Sequence, residues 1–190
     1  STGLRENKFG ISQENARALY QLAAADPHIQ VRGIACHIGS QISDPQPLFD
    51  ALEQLLALAD TMRNEGIVLT DIDLGGGFGV TYDEEPAFDV AAWGRQIKER
   101  LEERGLQLSI EPGRFLTANA GVLLTRVEYL KVGDEYARSN GVRSSVKHFA
   151  VVDAAMNDLL RPSLYQAWHG VLPVKQQNAH GNTRSWDIVG

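Results

Sequence analysis

The sequence predicts an α/β fold: parallel strands alternating with helices that cover them, in a sheet either open or closed into a β/α barrel, then a smaller, mostly β region. Three observations carry that prediction. Before Ala120, short apolar runs alternate with segments whose apolar residues recur at helical spacing. Successive strand-like runs end in the distinctive clusters Cys36-His37-Ile38-Gly39-Ser40-Gln41, Gly75-Gly76-Gly77 and Glu111-Pro112-Gly113-Arg114, about one strand–helix unit apart. After Ala120 the helical periodicity stops and short apolar runs take over. The expected organisation is one barrel-type domain over residues 1–120 and one β domain over 121–190.

The elements follow in order. Ser12 is placed to cap a helix whose Ala16, Leu19, Tyr20 and Ala23 share one face, and Asp26-Pro27 ends it. Val31 to Cys36 reads as a short buried strand. A second helix is expected from about Pro47 to Asn64, with Phe49, Leu52, Leu56 and Ala59 inward and Gly66 as its stop. Ile67 to Leu74 is the next strand. A third helix runs from about Asp89 to Arg104 with Val90, Trp93, Ile97 and Leu101 inward, and Gly105 ends it. Leu106, Leu108 and Ile110 form a third strand. Beyond it, Gly121 to Lys131 alternates like a strand, and Phe149 to Val152 and Gly170 to Val174 are further apolar runs. Gly133 to Lys147, with Ser139-Asn140-Gly141, reads as a hairpin loop.

Composition narrows the function classes. A net charge of −6 without blocks of like charge argues against nucleic acid and polybasic membrane-surface partners. No apolar stretch approaches the ~20 residues of a membrane helix. Cys36 is the single cysteine, which excludes an intrachain disulfide and a cysteine-rich zinc site and fits a reducing cytoplasm. His28, His148, His169 and His180 lack metal-ligand spacing, so no metal is expected. The chain opens on Ser1-Thr2-Gly3 without an initiator Met and closes on Trp186-Asp187-Ile188-Val189-Gly190, a strand entering a turn. Together these predict a segment of a longer polypeptide.

In a β/α barrel the C-terminal ends of all strands meet on one face, where active sites sit. The three clusters would therefore converge. Adjacent glycines leave backbone N–H groups free to close on a phosphate, with no Cβ in the way. His37 has beside it the N–H of Gly39 and the hydroxyl of Ser40, both useful to an anion. Glu111 can accept a hydrogen bond from a ring N–H, and Arg114 can clamp a phosphate or a carboxylate. Cys36 reads as a small buried apolar residue, not a nucleophile.

The sequences HIGSQ (37–41), DLGGGFG (73–79) and EPGR (111–114), in this order and spacing, resemble the pyridoxal-phosphate-dependent decarboxylases of the alanine-racemase-like fold. Within them, Lys8-Phe9-Gly10-Ile11 is similar to the KFGI segment of the diaminopimelate decarboxylase family. The run from Val152 to Tyr165 is similar to that family's DAxMNDLxRPxLY signature. The glycine and EPGR motifs belong to the wider group; the MNDLLRPSLY segment is far more specific. The resemblance covers essentially the whole chain.

It implies a partial (β/α)8 barrel followed by part of a C-terminal β-barrel-like domain, with pyridoxal 5'-phosphate as cofactor. By the resemblance, His37 stacks on the pyridine ring and Glu111 pairs with the ring nitrogen, where racemases of this fold place Arg. Ser40, Gly75, Gly76, Gly77, Gly113 and Arg114 hold the phosphate. Arg114, Arg161 and Tyr165 grip the distal end of an amino-acid substrate; in ornithine-type relatives the EPGR arginine contacts phosphate, so both roles stand open for Arg114. The implied reaction is decarboxylation of meso-2,6-diaminopimelate to L-lysine and CO2, by a cytoplasmic homodimer with shared active sites. The alternatives are a decarboxylase of ornithine, arginine or carboxynorspermidine, or a non-catalytic pyridoxal-phosphate-binding regulatory homologue. The family's Schiff-base lysine, in a context like YAxKAN, has no counterpart among Lys8, Lys98, Lys131, Lys147 and Lys175. The isolated chain is therefore expected to be inactive.

Overall fold

A computed structural model of the chain describes residues 8–133, 146–175 and 184–190. The turn expected at Ser139-Asn140-Gly141 and the segment Ser1-Thr2-Gly3 lie outside them. Contacts divide the chain into two compact units, Ser1–Gly121 and Val122–Gly190.

The first unit runs α1 (Gln13–Ala25), β1 (Gly33–Ala35), α2 (Gln46–Asn64), β2 (Asp71–Asp73), α3 (Val90–Glu102), β3 (Gln107–Ser109) and α4 (Gly113–Thr117). The strands form a parallel sheet in the order β1-β2-β3. They are shorter than the apolar runs predict, but single bonds extend the ladder at both ends. Thr70 N–H donates to Arg32 O (2.7 Å), Cys36 N–H to Asp73 O (2.9 Å) and Leu74 N–H to Ser109 O (3.2 Å). Ile34, Ile72 and Leu108 stand in one register row. Ile34 and Ile72 are buried, whereas Leu108, on an edge strand, is 36% exposed.

Local chemistry sets the helix boundaries. Ser12 caps α1, its hydroxyl accepting the Asn15 N–H (3.4 Å), and Asp89 caps α3 by accepting the Ala92 N–H (2.8 Å). Gly66 and Gly105, at φ +84° and +67°, follow α2 and α3 in the left-handed region that side chains avoid. The expected Leu19 contact does not form: Ala16 is buried and Tyr20 donates to Gly33 O (2.9 Å), but Leu19 is 44% exposed. β1 is an edge strand of the described sheet, so helix α1 beside it has sheet to cover on one side only.

The core lies between α2, α3 and the sheet. Leu48, Leu52, Leu56 and Met62 of α2 are almost fully buried, with Ile72, Leu74 and Ile97. Each such side chain contributes about 1.5–3 kcal/mol of transfer free energy. Across the α2–α3 seam, Arg100 pairs with Glu53 (3.2 Å) and Arg104 with Asp60 (3.6 Å). Partly solvated pairs of this kind contribute roughly 0–1 kcal/mol each, so apolar burial dominates.

The second unit holds β4 (Val127–Lys131), β5 (Phe149–Val152), α5 (Arg161–Tyr165) and β6 (Asp187–Val189). β5 pairs antiparallel with β4 and parallel with β6. The strand expected from Gly121 begins only at Val127, and Gly170 to Val174 forms no strand. Among the described residues neither segment has a partner strand, and Pro173 removes a ladder donor from the second. Asp153 instead ties the start of β4 to the end of β5. Its Oδ1 accepts the Arg126 N–H (2.8 Å) and the Thr125 hydroxyl (2.6 Å), while its own N–H donates to Arg126 O (3.1 Å).

The Arg126 N–H, followed by the Thr125 hydroxyl, holds the Asp153 carboxyl below its ordinary value of 3.8. A carboxyl lowered in the folded state stabilises the fold above the unfolded value, and that contribution disappears as pH falls through the folded value. Asp153→Asn should therefore melt below wild type at neutral pH, with the gap closing below about pH 4. Thermal midpoints measured across pH check this, and a gap that stays constant into acid contradicts it.

Candidate active site

The three sequence clusters follow β1, β2 and β3, and the glycine run is the part that brings them together. A Cβ on Gly75 would stand 2.5 Å from Cys36 O and 2.9 Å from His37 Nδ1. One on Gly76 would stand 2.1 Å from Glu111 O, and one on Gly77 would stand 2.0 Å from Gly39 O. The run is thus wedged between the turn after β1 and the turn after β3. Gly75 and Gly77 also take φ of +67° and +91°. Only residues without a side chain meet both conditions.

Two of the run's N–H groups are already engaged. Gly75 N–H donates to Asp73 Oδ1 (2.7 Å) and Gly76 N–H to His37 Nδ1 (3.2 Å). The Gly76 bond makes Nδ1 an acceptor, so the proton of neutral His37 sits on Nε2. Gly77 N–H makes no hydrogen bond among the described residues, while Gly77 O accepts the Ile42 N–H (2.8 Å). Glu111 N–H donates to Gly75 O (2.8 Å) and its carbonyl accepts the Gly113 N–H (2.9 Å). Among the described residues the Glu111 carboxylate and the Ser40 hydroxyl have no partner, and both residues are exposed.

Phe78 anchors the run from below. It is buried, with ring centroids 5.1 Å from Trp93, 5.2 Å from Phe88 and 6.2 Å from Phe115, all edge-on. Such pairs add about 0.5–1.5 kcal/mol beyond area burial. They connect the glycine run to α3 and α4. Burial first, then the Asp73 carboxylate, pushes the Cys36 thiol up, which keeps it protonated and unreactive.

Gln41 and Asp73 lie inside the HIGSQ and DLGGGFG motifs, and neither has a role that residue type or spacing makes evident. Gln41 has φ +57°, costly for a residue with a Cβ at about 1–2 kcal/mol. Its side chain bonds Val80 and accepts a hydrogen bond from Arg114 Nη1 (3.1 Å). The available signal was a long amide at the end of a strand-end turn, a position that favours side-chain-to-backbone bonding.

Arg161 and Tyr165 open and close α5 of the second unit, where they meet each other: the guanidinium carbon lies 5.5 Å from the Tyr165 ring centroid. Arg161 Nε is buried and has no hydrogen-bond partner among the described residues. Before them, Asp158 closes a turn by accepting the Ala155 N–H (2.9 Å). Among the described residues no group of His, Cys, Asp and Glu is arranged to hold a metal ion, and no helix is long and apolar enough to cross a membrane.

The chain belongs to the pyridoxal-dependent decarboxylases: residues 1–118 match the family described as "Pyridoxal-dependent decarboxylase, pyridoxal binding domain". The cofactor of that domain is pyridoxal phosphate. Over its whole length the chain is 52% identical to a diaminopimelate decarboxylase of Pseudomonas fluorescens and 51% identical to that of Pseudomonas aeruginosa, covering 42% and 43% of those proteins. The crystal structure of diaminopimelate decarboxylase from Helicobacter pylori complexed with L-lysine superposes with a TM-score of 0.81 at 34% identity, over 94% of this chain and 42% of that one. The chain thus spans about two fifths of the length of the relatives it matches, and its strand–helix repeat is part of their barrel fold.

Proposed function

We propose that this chain supplies part of a pyridoxal-phosphate-dependent decarboxylase that converts meso-2,6-diaminopimelate to L-lysine and CO2. One observation carries the reading: over its whole length the chain is about half identical to two diaminopimelate decarboxylases, and it contains the segment Met156 to Tyr165. That segment presents a guanidinium with a buried, unpartnered N–H beside a tyrosine ring, chemistry suited to the second carboxylate of a diamino diacid. In this reading residues 1–120 belong to the cofactor-binding barrel and 121–190 to the β domain.

The strand-end donors fit the cofactor. His37 offers a ring whose Nδ1 is held as an acceptor by the Gly76 N–H, and Glu111 offers a carboxylate without a partner among the described residues. We assign His37 to stack on the pyridine ring and Glu111 to hold the proton on its nitrogen. Pyridoxal phosphate supplies the electron sink that loss of CO2 requires. Ser40, Gly75, Gly76, Gly77, Gly113 and Arg114 surround the phosphate. Among the glycines of the run, Gly77 is the one with an N–H to give, since Gly75 and Gly76 spend theirs on Asp73 and His37. Arg161 and Tyr165 bind the distal end of the substrate, and Arg114 binds either that end or the phosphate. The enzyme is assigned to the cytoplasm as a homodimer with shared active sites. Val122, Leu124, Leu172 and Val174, all largely exposed, are apolar surface of the kind that further structure covers.

The test uses the complete polypeptide that carries this sequence, reconstituted with pyridoxal phosphate. CO2 release is measured with diaminopimelate, ornithine, arginine and carboxynorspermidine. Diaminopimelate should give the highest kcat/KM by at least about 10²-fold, the discrimination expected when a charged partner is left unpaired. Preference for any substrate with a single carboxylate would sink the assignment.

A further inference from the structure

We propose that Gln41 is a positioning residue that aims Arg114 at an anionic group held over the strand ends, an inference that rests on the functional reading above. The Gln41 amide bonds one backbone residue in both senses: Nε2 donates to Val80 O (2.6 Å) and Oε1 accepts the Val80 N–H (3.3 Å). Two opposed bonds leave the amide a single orientation. The group turned towards Arg114 is therefore always the acceptor, and Nη1 donates to it at 3.1 Å. The backbone beside Gln41 is pinned as well, by Ile42 N–H to Gly77 O and Gly79 N–H to Ile42 O, both 2.8 Å. One side chain so connects the turn after β1, the segment following the glycine run and α4.

The choice of amide matters for charge. Arg114 is half-buried, and no carboxylate pairs with it among the described residues. A guanidinium has five N–H donors, and Gln41 takes one. The remaining donors and the whole positive charge stay available. A glutamate at 41 would have no donor for Val80 O and would also cancel the charge that recruits an anion. The ligand chemistry is a carboxylate or a phosphate ester, the planar or tripodal oxygen groups that Arg binds in forked geometry.

The experiment compares Gln41→Glu, Gln41→Ala, Arg114→Ala and the double variant Gln41→Ala/Arg114→Ala in the complete polypeptide. The readouts are Kd for pyridoxal phosphate, KM and kcat for substrate, and thermal midpoint. If Arg114 holds a substrate carboxylate, Gln41→Glu raises KM about tenfold or more and leaves cofactor Kd within about twofold. If it holds the phosphate, Kd rises by that factor and KM stays. Either pattern supports the proposal, provided Gln41→Ala adds nothing to the same quantity on the Arg114→Ala background. A lowered midpoint with KM and Kd both unchanged, or a Gln41→Ala effect that persists in full without Arg114, overturns it. The cycle is read on whichever substrate wild type decarboxylates. Failure of diaminopimelate as substrate thus overturns the functional reading and leaves this one to the cycle.

Discussion

Alanine at Gly77 should lower the thermal midpoint of the complete polypeptide by several degrees and weaken pyridoxal phosphate binding about tenfold or more. Two independent penalties meet at this position. The backbone sits at φ +91°, where a Cβ costs roughly 1–2 kcal/mol, and the new carbon would stand 2.0 Å from Gly39 O. That oxygen belongs to the turn after β1, so relief of the contact must move the turn that carries His37 and Ser40. Overpacking of this kind typically costs a further ~1–3 kcal/mol. Gly94→Ala is the matched control: Gly94 lies in α3, and nothing lies within 4 Å of a Cβ there. It should melt at or above wild type, because alanine is the better helix former. Differential scanning and cofactor titration on both variants decide the matter; an unchanged midpoint and Kd for Gly77→Ala would show the turn to be compliant.

The second large effect is expected at Glu111. Gln there keeps the size and an acceptor oxygen but removes the negative charge, so the assigned partner of the pyridine nitrogen no longer favours its protonated form. A reduction in kcat of about 10²–10³-fold is expected, the usual loss when a preorganised electrostatic partner is removed. Cofactor Kd and KM should change by no more than a few-fold, because the Glu111 carboxylate has no partner in the described fold whose loss would disturb the turn. The turn is held by backbone: Glu111 N–H to Gly75 O and Gly113 N–H to Glu111 O. Stopped-flow turnover under saturating cofactor measures the effect, and a kcat within about threefold of wild type would remove Glu111 from the chemistry.

Much of the fold was legible because it is written in local periodicity. The apolar stripe Phe49, Leu52, Leu56 and Ala59 defines α2, and Trp93, Ile97 and Leu101 define α3, within a residue or two of their observed ends. The cap at Ser12 and the stops at Gly66 and Gly105 are short-range chemistry and were equally readable. The second unit was harder. Gly121 to Arg126 and Gly170 to Val174 carry strand-like residues but pair with no strand among the described residues. Ladders need partners, and partner choice is non-local.

The candidate site divides the same way. Residue types at three strand ends, and the resemblance they carry, sufficed to nominate the strand-end residues from His37 to Arg114, with Arg161 and Tyr165. Sequence alone settled which chemical groups this protein holds and roughly which elements carry them, because periodicity and motif spacing are properties of neighbouring residues. Tertiary structure decided what each group has left to offer. It assigned the Gly75 and Gly76 N–H groups to Asp73 and His37, left that of Gly77 without a partner among the described residues, and gave Gln41 a hold on Arg114. Apart from the local Gly75–Asp73 bond, those outcomes depend on hydrogen-bond partners more than thirty residues away and on backbone approaches that no local pattern encodes.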